Sequence, residues 1–202
     1  MLLRAGLHAV IVTLLLSTTG PVVAAQQPDA RARLFQEGAR ALAEHRYADA
    51  VQAYETLLKL SPEVAEVHAS LGLSYFQQRK FSEAVPALRQ ALKLKPALPN
   101  VPVLLAMSLS ELGHYEEALP GLQKGFAQSA DAAIKRAAGL QLQRAYTGLR
   151  RDAEAVDVAL DLTRLYPKDP EVLYHASRLY TNFAFVTPSP RNMSTTFRNM
   201  FT

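Results

Sequence analysis

Cysteine is absent from the sequence. That one absence removes disulfides, thiolate nucleophiles and cysteine metal sites, and it excludes a lipid-bearing cysteine behind an N-terminal apolar run. Histidine offers little in exchange. His8, His45, His68, His114 and His175 stand singly, no pair has HExxH spacing, and no Asp/Glu/His cluster recurs with ligand spacing. Glycine is scarce and never forms a run that could cradle phosphate, and no serine sits in a nucleophile elbow. An enzyme needs a nucleophile, an acid–base pair or a metal, so the residues read as a non-enzyme without cofactor or metal. An excess of one charge is lacking as well. Twenty-two basic residues face 18 acidic ones with the signs interspersed, a solvated surface without the basic stripe that nucleic acid would require.

A long apolar run is also missing. Ala9 to Leu16 (AVIVTLLL) is much shorter than the ~20 residues of a spanning helix. Residues 1–25 fit a secretory signal instead: Arg4 gives the positive start, Gly20-Pro21 breaks the apolar core, and Val23 and Ala25 form a small-residue cleavage site. This predicts export, to a bacterial periplasm or beyond, with a mature start at Gln26 and no stable transmembrane segment after cleavage. Membrane anchoring by an uncleaved N-terminal segment is the competing expectation. Residues 26–30 read as a linker.

What the chain does contain is repetition. Ala65 to Leu98 reads as two short helices around the polar turn Gln78-Arg79-Lys80. Leu71, Gly72 and Tyr75 mark one helical stripe, Ala84, Leu88, Ala91 and Leu92 mark the other, and Pro96 closes the second helix. A shift of 34 residues backward places Gly72 on Gly38, Phe81 on Tyr47, Ala84 on Ala50, Leu88 on Tyr54 and Pro96 on Pro62. Forward, Phe81 falls on Tyr115, Ala84 on Ala118 and Leu88 on Leu122. A helix-turn-helix period of this length defines a repeat architecture in which no unit buries its stripe alone.

On Gly72, Tyr75, Phe81, Ala84, Ala91 and Pro96 the chain resembles the tetratricopeptide repeat (TPR) family. The resemblance implies an all-α, TPR-like α-α superhelical solenoid over residues 31–183, with units at about 31–64, 65–98, 99–132 and 136–169 and a partial unit at 170–183. Small residues at 72 and 84 let the helices of a hairpin approach closely. The fourth unit returns three residues late, so added residues are expected to lengthen the helix or loop around Gln128–Lys135. Asp152 stands where other units carry Tyr or Phe, which predicts a looser hairpin there. Residues 184–202 break the pattern and read as an irregular or disordered tail. Either they cap the array, or the chain is the front part of a longer repeat protein; the second reading suits the lost periodicity better.

The resemblance also implies a job. In this family the first helices of successive units line a concave surface that binds polypeptides, so the expected function is a non-catalytic interaction scaffold or adaptor. The register puts Phe35, Leu42, Leu73, Phe76, Met107, Arg144, Tyr174 and Arg178 on that surface as protein-binding candidates. Relatives that clamp a C-terminal carboxylate use polar residues where this chain has Phe35, Ala39, Leu73 and Met107, so that specificity is not expected. The partner is a protein or peptide of unspecified identity, and self-association competes with it. In a purely structural repeat module, packing between units would consume the same apolar side chains.

Overall fold

The computed structural model describes residues 29–186. The expected signal segment and all but the first residues of the expected tail lie outside them. Regular structure among the described residues is entirely helical: α1 (Ala30–Ala43), α2 (Tyr47–Leu60), α3 (Ala65–Gln77), α4 (Phe81–Leu94), α5 (Val101–Glu111), α6 (Tyr115–Gln128), α7 (Ala132–Gly148), α8 (Asp152–Leu165) and α9 (Pro170–Val186). Consecutive helices pack on one another, and each first helix also meets the next, as in α1 with α3, α3 with α5 and α5 with α7. This is the predicted solenoid. The helix α9 runs three residues beyond the 183 boundary read from the sequence.

Each hairpin turns the same way. His45, Arg79, Gly113 and Arg150 occupy equivalent positions and all have φ between 58° and 81°. The next residue's amide then bonds back over five residues, Arg46 to Ala41, Lys80 to Tyr75, His114 to Leu109 and Arg151 to Tyr146, at 2.8–2.9 Å. These are left-handed helix caps that satisfy otherwise orphaned carbonyls. Only the third uses the residue best suited to that conformation; the others accept a cost of roughly 1–2 kcal/mol.

The core follows from the repeat register. Ala50, Ala84, Ala118 and Ala155 have no exposed surface, because a helix crosses directly over each position. A Cβ at Gly72 would lie 2.6 Å from Leu88 Cγ, and one at Gly38 would lie 2.7 Å from the Tyr54 ring. The glycines are therefore the sockets for the large residue at the facing position. Burying Leu88 completely contributes about 1.5–3 kcal/mol.

Two sequence expectations about the fourth unit take definite form. The added residues enter the helix: α7 has 17 residues against 13 in α3 and 11 in α5. It starts at Ala132, four residues before the expected unit boundary, where Asp131 caps it by accepting from the amides of Ala133 and Ile134. The closed end of that hairpin is filled by a different device. The Arg151 guanidinium lies 4.8 Å from the Tyr146 ring centroid and pairs with Glu154, where the second unit sets Phe76 edge-on to Phe81.

The two outer helices differ. Arg33, Glu37 and Arg40 of α1 are exposed at the positions where α3 buries Val67, Leu71 and Ser74. The matching residues of α9, Val172, Ala176 and Leu179, are buried against α7–α8, but its other side exposes Leu173 and Tyr174.

Candidate functional site

Four parallel rows of the first helices make the inner surface. One runs Phe35, Ala69, Val103, Leu140, Tyr174, and the next runs Ala39, Leu73, Met107, Arg144, Arg178. The third is Leu42, Phe76, Ser110, Thr147, Thr181, and the fourth is Ala43, Gln77, Glu111, Gly148, Asn182. The second row changes from apolar to cationic between α5 and α7, the third turns polar already at Ser110 and the fourth at Gln77, while the first stays apolar through Leu140.

The upstream half is largely spent on packing. Phe35 keeps 40% of its surface exposed and sits edge-on to Tyr54, 6.2 Å between centroids. Leu42 is half-buried within the cluster of α1–α3, and Leu73 is half-buried. Phe76 is also half-buried, its ring 5.5 Å from that of Phe81. Met107 keeps only 7% of its surface and belongs to the main core. The expectation that it anchors a ligand is thereby corrected: its side chain fills space between units.

The downstream half opens into a cleft of about 570 Å³ among α5, α7 and α9, with Tyr115 of α6 at its edge. Arg144 and Arg178 line it together with Glu111, Gln143, Thr147, Gly148, Glu171, His175 and Asn182. Tyr174, 60% exposed and edge-on to His175, lies outside that lining, as do Phe35, Leu42, Leu73 and Phe76. The cleft thus unites two of the eight sequence candidates.

A relay of polar contacts holds its floor. Ser110 Oγ donates to Gln141 Oε1 at 2.9 Å, Gln141 Nε2 donates to Glu111 Oε1 at 2.6 Å, and Arg144 Nη1 donates to Glu111 Oε2 at 2.9 Å. Arg79 stands 3.8 Å from the same carboxylate. Burial works against the Arg144 charge, but the Glu111 carboxylate more than offsets it and raises the guanidinium above its ordinary range. At the other edge Arg136 grips both oxygens of Asp169, at 2.5 and 2.9 Å, and reaches Glu171 at 2.6 Å. The Arg136 hydrogen bonds, helped by the amide of Val172, depress the Asp169 carboxyl to about 2. Asp169 also caps α9 by accepting from the amides of Glu171 and Val172.

Gln141, Gln143, His175 and Gly148 escaped the sequence reading. A signal for Gly148 existed, since it falls on the register of Glu111 once the three-residue insertion is counted, but its meaning depends on what surrounds it. Among the described residues no three His, Asp or Glu side chains gather in a way that could hold a metal. No helix among the described residues is long and apolar enough to cross a membrane. The arrangement can donate hydrogen bonds and present positive charge to something lying along the inner surface.

Residues 35–99 match a family model described as tetratricopeptide repeat, and residues 75–141 match a second with the same description. Together they span more than half of the chain. MamA from Desulfovibrio magneticus RS-1 superposes with a TM-score of 0.68 at 18% identity, covering 77% of this chain and 86% of that one. MamA from MSR-1 gives 0.66 at 20% identity, over 76% and 87%. MamA from AMB-1 gives 0.65 at 21%, over 77% and 89%. At these identities the likeness is one of fold. No curated protein sequence matches the chain significantly. Repeat arrays of this kind are interaction scaffolds and are typically non-enzymatic. Register, helical architecture and family match agree: the chain belongs to the tetratricopeptide repeat family.

Proposed function

We propose that this protein is a non-catalytic adaptor that holds a polypeptide segment on its inner, first-helix surface, with the recognition concentrated at α5, α7 and α9. The cleft is the observation that carries this reading. It is concave and lined by hydrogen-bond donors, by the cations of Arg144 and Arg178 and by the carboxylates of Glu111 and Glu171. Pockets with a few convergent polar groups are where binding sites form. Crosslinking in the native host from photoreactive residues at 144 and 178 should capture one recurrent foreign polypeptide. Capture of the protein alone, or of nothing, would refute the adaptor.

Export belongs to the same proposal, because Arg4, the apolar core and the Val23/Ala25 cleavage pattern direct the chain out of the cytosol. N-terminal sequencing of protein isolated from its host should begin at Gln26. A cytosolic product with Met1 intact refutes export. A second reading, self-association, is favoured by one feature: α9 exposes Leu173 and Tyr174 side by side. Sedimentation velocity distinguishes it, since a monomer at all concentrations removes that reading.

A further inference from the structure

In each of the first four units the first helix is covered by the second helix of the same hairpin. Among the described residues α9 has no such cover. Gly38 of α1 receives Tyr54 of α2, Gly72 of α3 receives Leu88 of α4, and Gly139 of α7 lies under Leu162 of α8. The register carries these positions to Ser177 and Leu173 of α9, which are exposed together with Tyr174 and Thr181 on one helical face. The Ser177 and Thr181 hydroxyls donate back to the carbonyls of Tyr174 and Ser177, at 2.9 Å each. Their hydrogen bonds are thus made within α9, and the open face suits an apolar partner.

Residues 187–202 lie outside the described residues, but their sequence fits that place. All four hairpins turn over three residues, 44–46, 78–80, 112–114 and 149–151. The same length after Val186 ends at Ser189, and Ser189-Pro190 is a helix start: serine caps, and proline suits the first helical position. From there Met193, Phe197, Met200 and Phe201 follow at i, i+4, i+7 and i+8. At ~100° per residue these four fill an arc of about 100°, and Arg191 and Arg198 fall outside it. The hairpins also say which residues meet. Gly38 and Gly72 each stand five residues before the end of their helix, and Tyr54 and Leu88 each stand seven after the start of the next. Counted in the same way from Val186 and Pro190, the pair is Thr181 and Phe197, and one turn further out it is Ser177 and Phe201.

We infer that residues 190–202 fold back as a helix on the open face of α9, with Phe197 over Thr181 and Phe201 over Ser177, beside Leu173 and Tyr174. The occupant of that face is then the chain's own segment. A three-residue tether gives it an effective concentration on the order of millimolar, so at micromolar protein it excludes a second copy. The surface that invites self-association is closed in cis, while binding in the cleft does not depend on it.

Cysteine and tryptophan are both absent from the chain, so either one can be introduced as an unambiguous reporter. The test uses protein purified from its host with residues 187–202 retained. Thr181→Cys/Phe197→Cys, oxidised with diamide at low micromolar concentration, should close an intrachain disulfide about tenfold faster than Thr181→Cys/Thr195→Cys. Both pairs share the tether, and only position 197 lies on the apolar stripe. Independently, Phe197→Trp should emit with the blue-shifted maximum of a buried indole. Ser177→Asp added to it should move the emission to the red while the helical signal is unchanged. Equal rates of closure, disulfide-linked dimers in place of the intrachain bond, or a blue shift that survives Ser177→Asp would overturn the inference. So would a blue shift that appears only with vesicles of phosphatidylcholine and phosphatidylglycerol, which would give the stripe to a membrane surface. Each of these outcomes leaves the adaptor standing.

Discussion

The socket at Gly72 can be tested by a double-mutant cycle with Leu88. Alone, Gly72→Ala puts a methyl 2.6 Å from both Cγ and Cδ2 of a leucine with no exposed surface. Overpacking of this kind costs about 1–3 kcal/mol, while alanine's helix preference returns about 1, leaving a net loss near 1 kcal/mol. Leu88→Ala alone leaves a cavity and should cost about 2–5 kcal/mol. In the double variant both clashing atoms are gone, and only the Leu88 amide nitrogen remains close, at 3.3 Å. The same Gly72→Ala change should then stabilise by about 0.5 kcal/mol. The sign reversal makes the coupling about 1.5 kcal/mol, well beyond the ~0.3–0.5 within which independent sites add. Urea unfolding followed by far-UV circular dichroism gives all four stabilities, with m-values compared so that a change in cooperativity is recognised. Additivity within 0.5 kcal/mol would refute the socket.

Three further perturbations probe other parts of the array. Gly148→Ala should lower stability by about 1–3 kcal/mol because of the Tyr115 ring; a thermal midpoint equal to wild type would contradict the geometry. Asp169 is depressed to about 2 from an ordinary 3.8, so its contribution is complete above about 4 and disappears as pH falls toward 2. Asp169→Asn should keep the α9 cap but flatten the acid limb of a stability–pH curve, and an unchanged limb would remove Asp169 from the explanation. Tyr75 is pushed up to about 12 by burial and by the Glu55 carboxylate that its hydroxyl meets at 2.5 Å. Ultraviolet titration should show late-ionising phenols, since burial also raises Tyr54 and Tyr180, and Tyr75→Phe should reduce the late amplitude by one phenol; an identical curve for the variant would refute the assignment.

The repeat is a local property of the sequence, and most of the architecture could be read from it. Ala50, Ala84 and Ala118 announce close helix crossings because no larger residue fits, and the 34-residue register carries their spacing through the first three units. The three-residue offset of the fourth unit was equally visible, since Tyr146 and Pro167 return together. Its consequence was not: nothing in Gln128–Lys135 says whether a helix or a loop absorbs the insertion, and the Asp131 cap resolves this in favour of the helix. The left-handed turns at His45, Arg79 and Arg150 were hidden as well, because tertiary packing fixes the hairpin and forces onto ordinary residues a conformation that glycine would have signalled.

The inner surface divides in the same way. Sequence register determined which residues lie on it, including both arginines of the cleft. Only the tertiary structure decided which remain available, because burial depends on the neighbours each row meets. Met107 and Arg144 share one row; the first is enclosed by core side chains and the second reaches Glu111 across the groove. Arg178 differs from Arg144 by no local feature at all. Among the described residues it forms no ion pair: the position equivalent to Glu111 is Gly148, beside which the Tyr115 ring stands, and residues 33 positions apart meet there only when the helices pack.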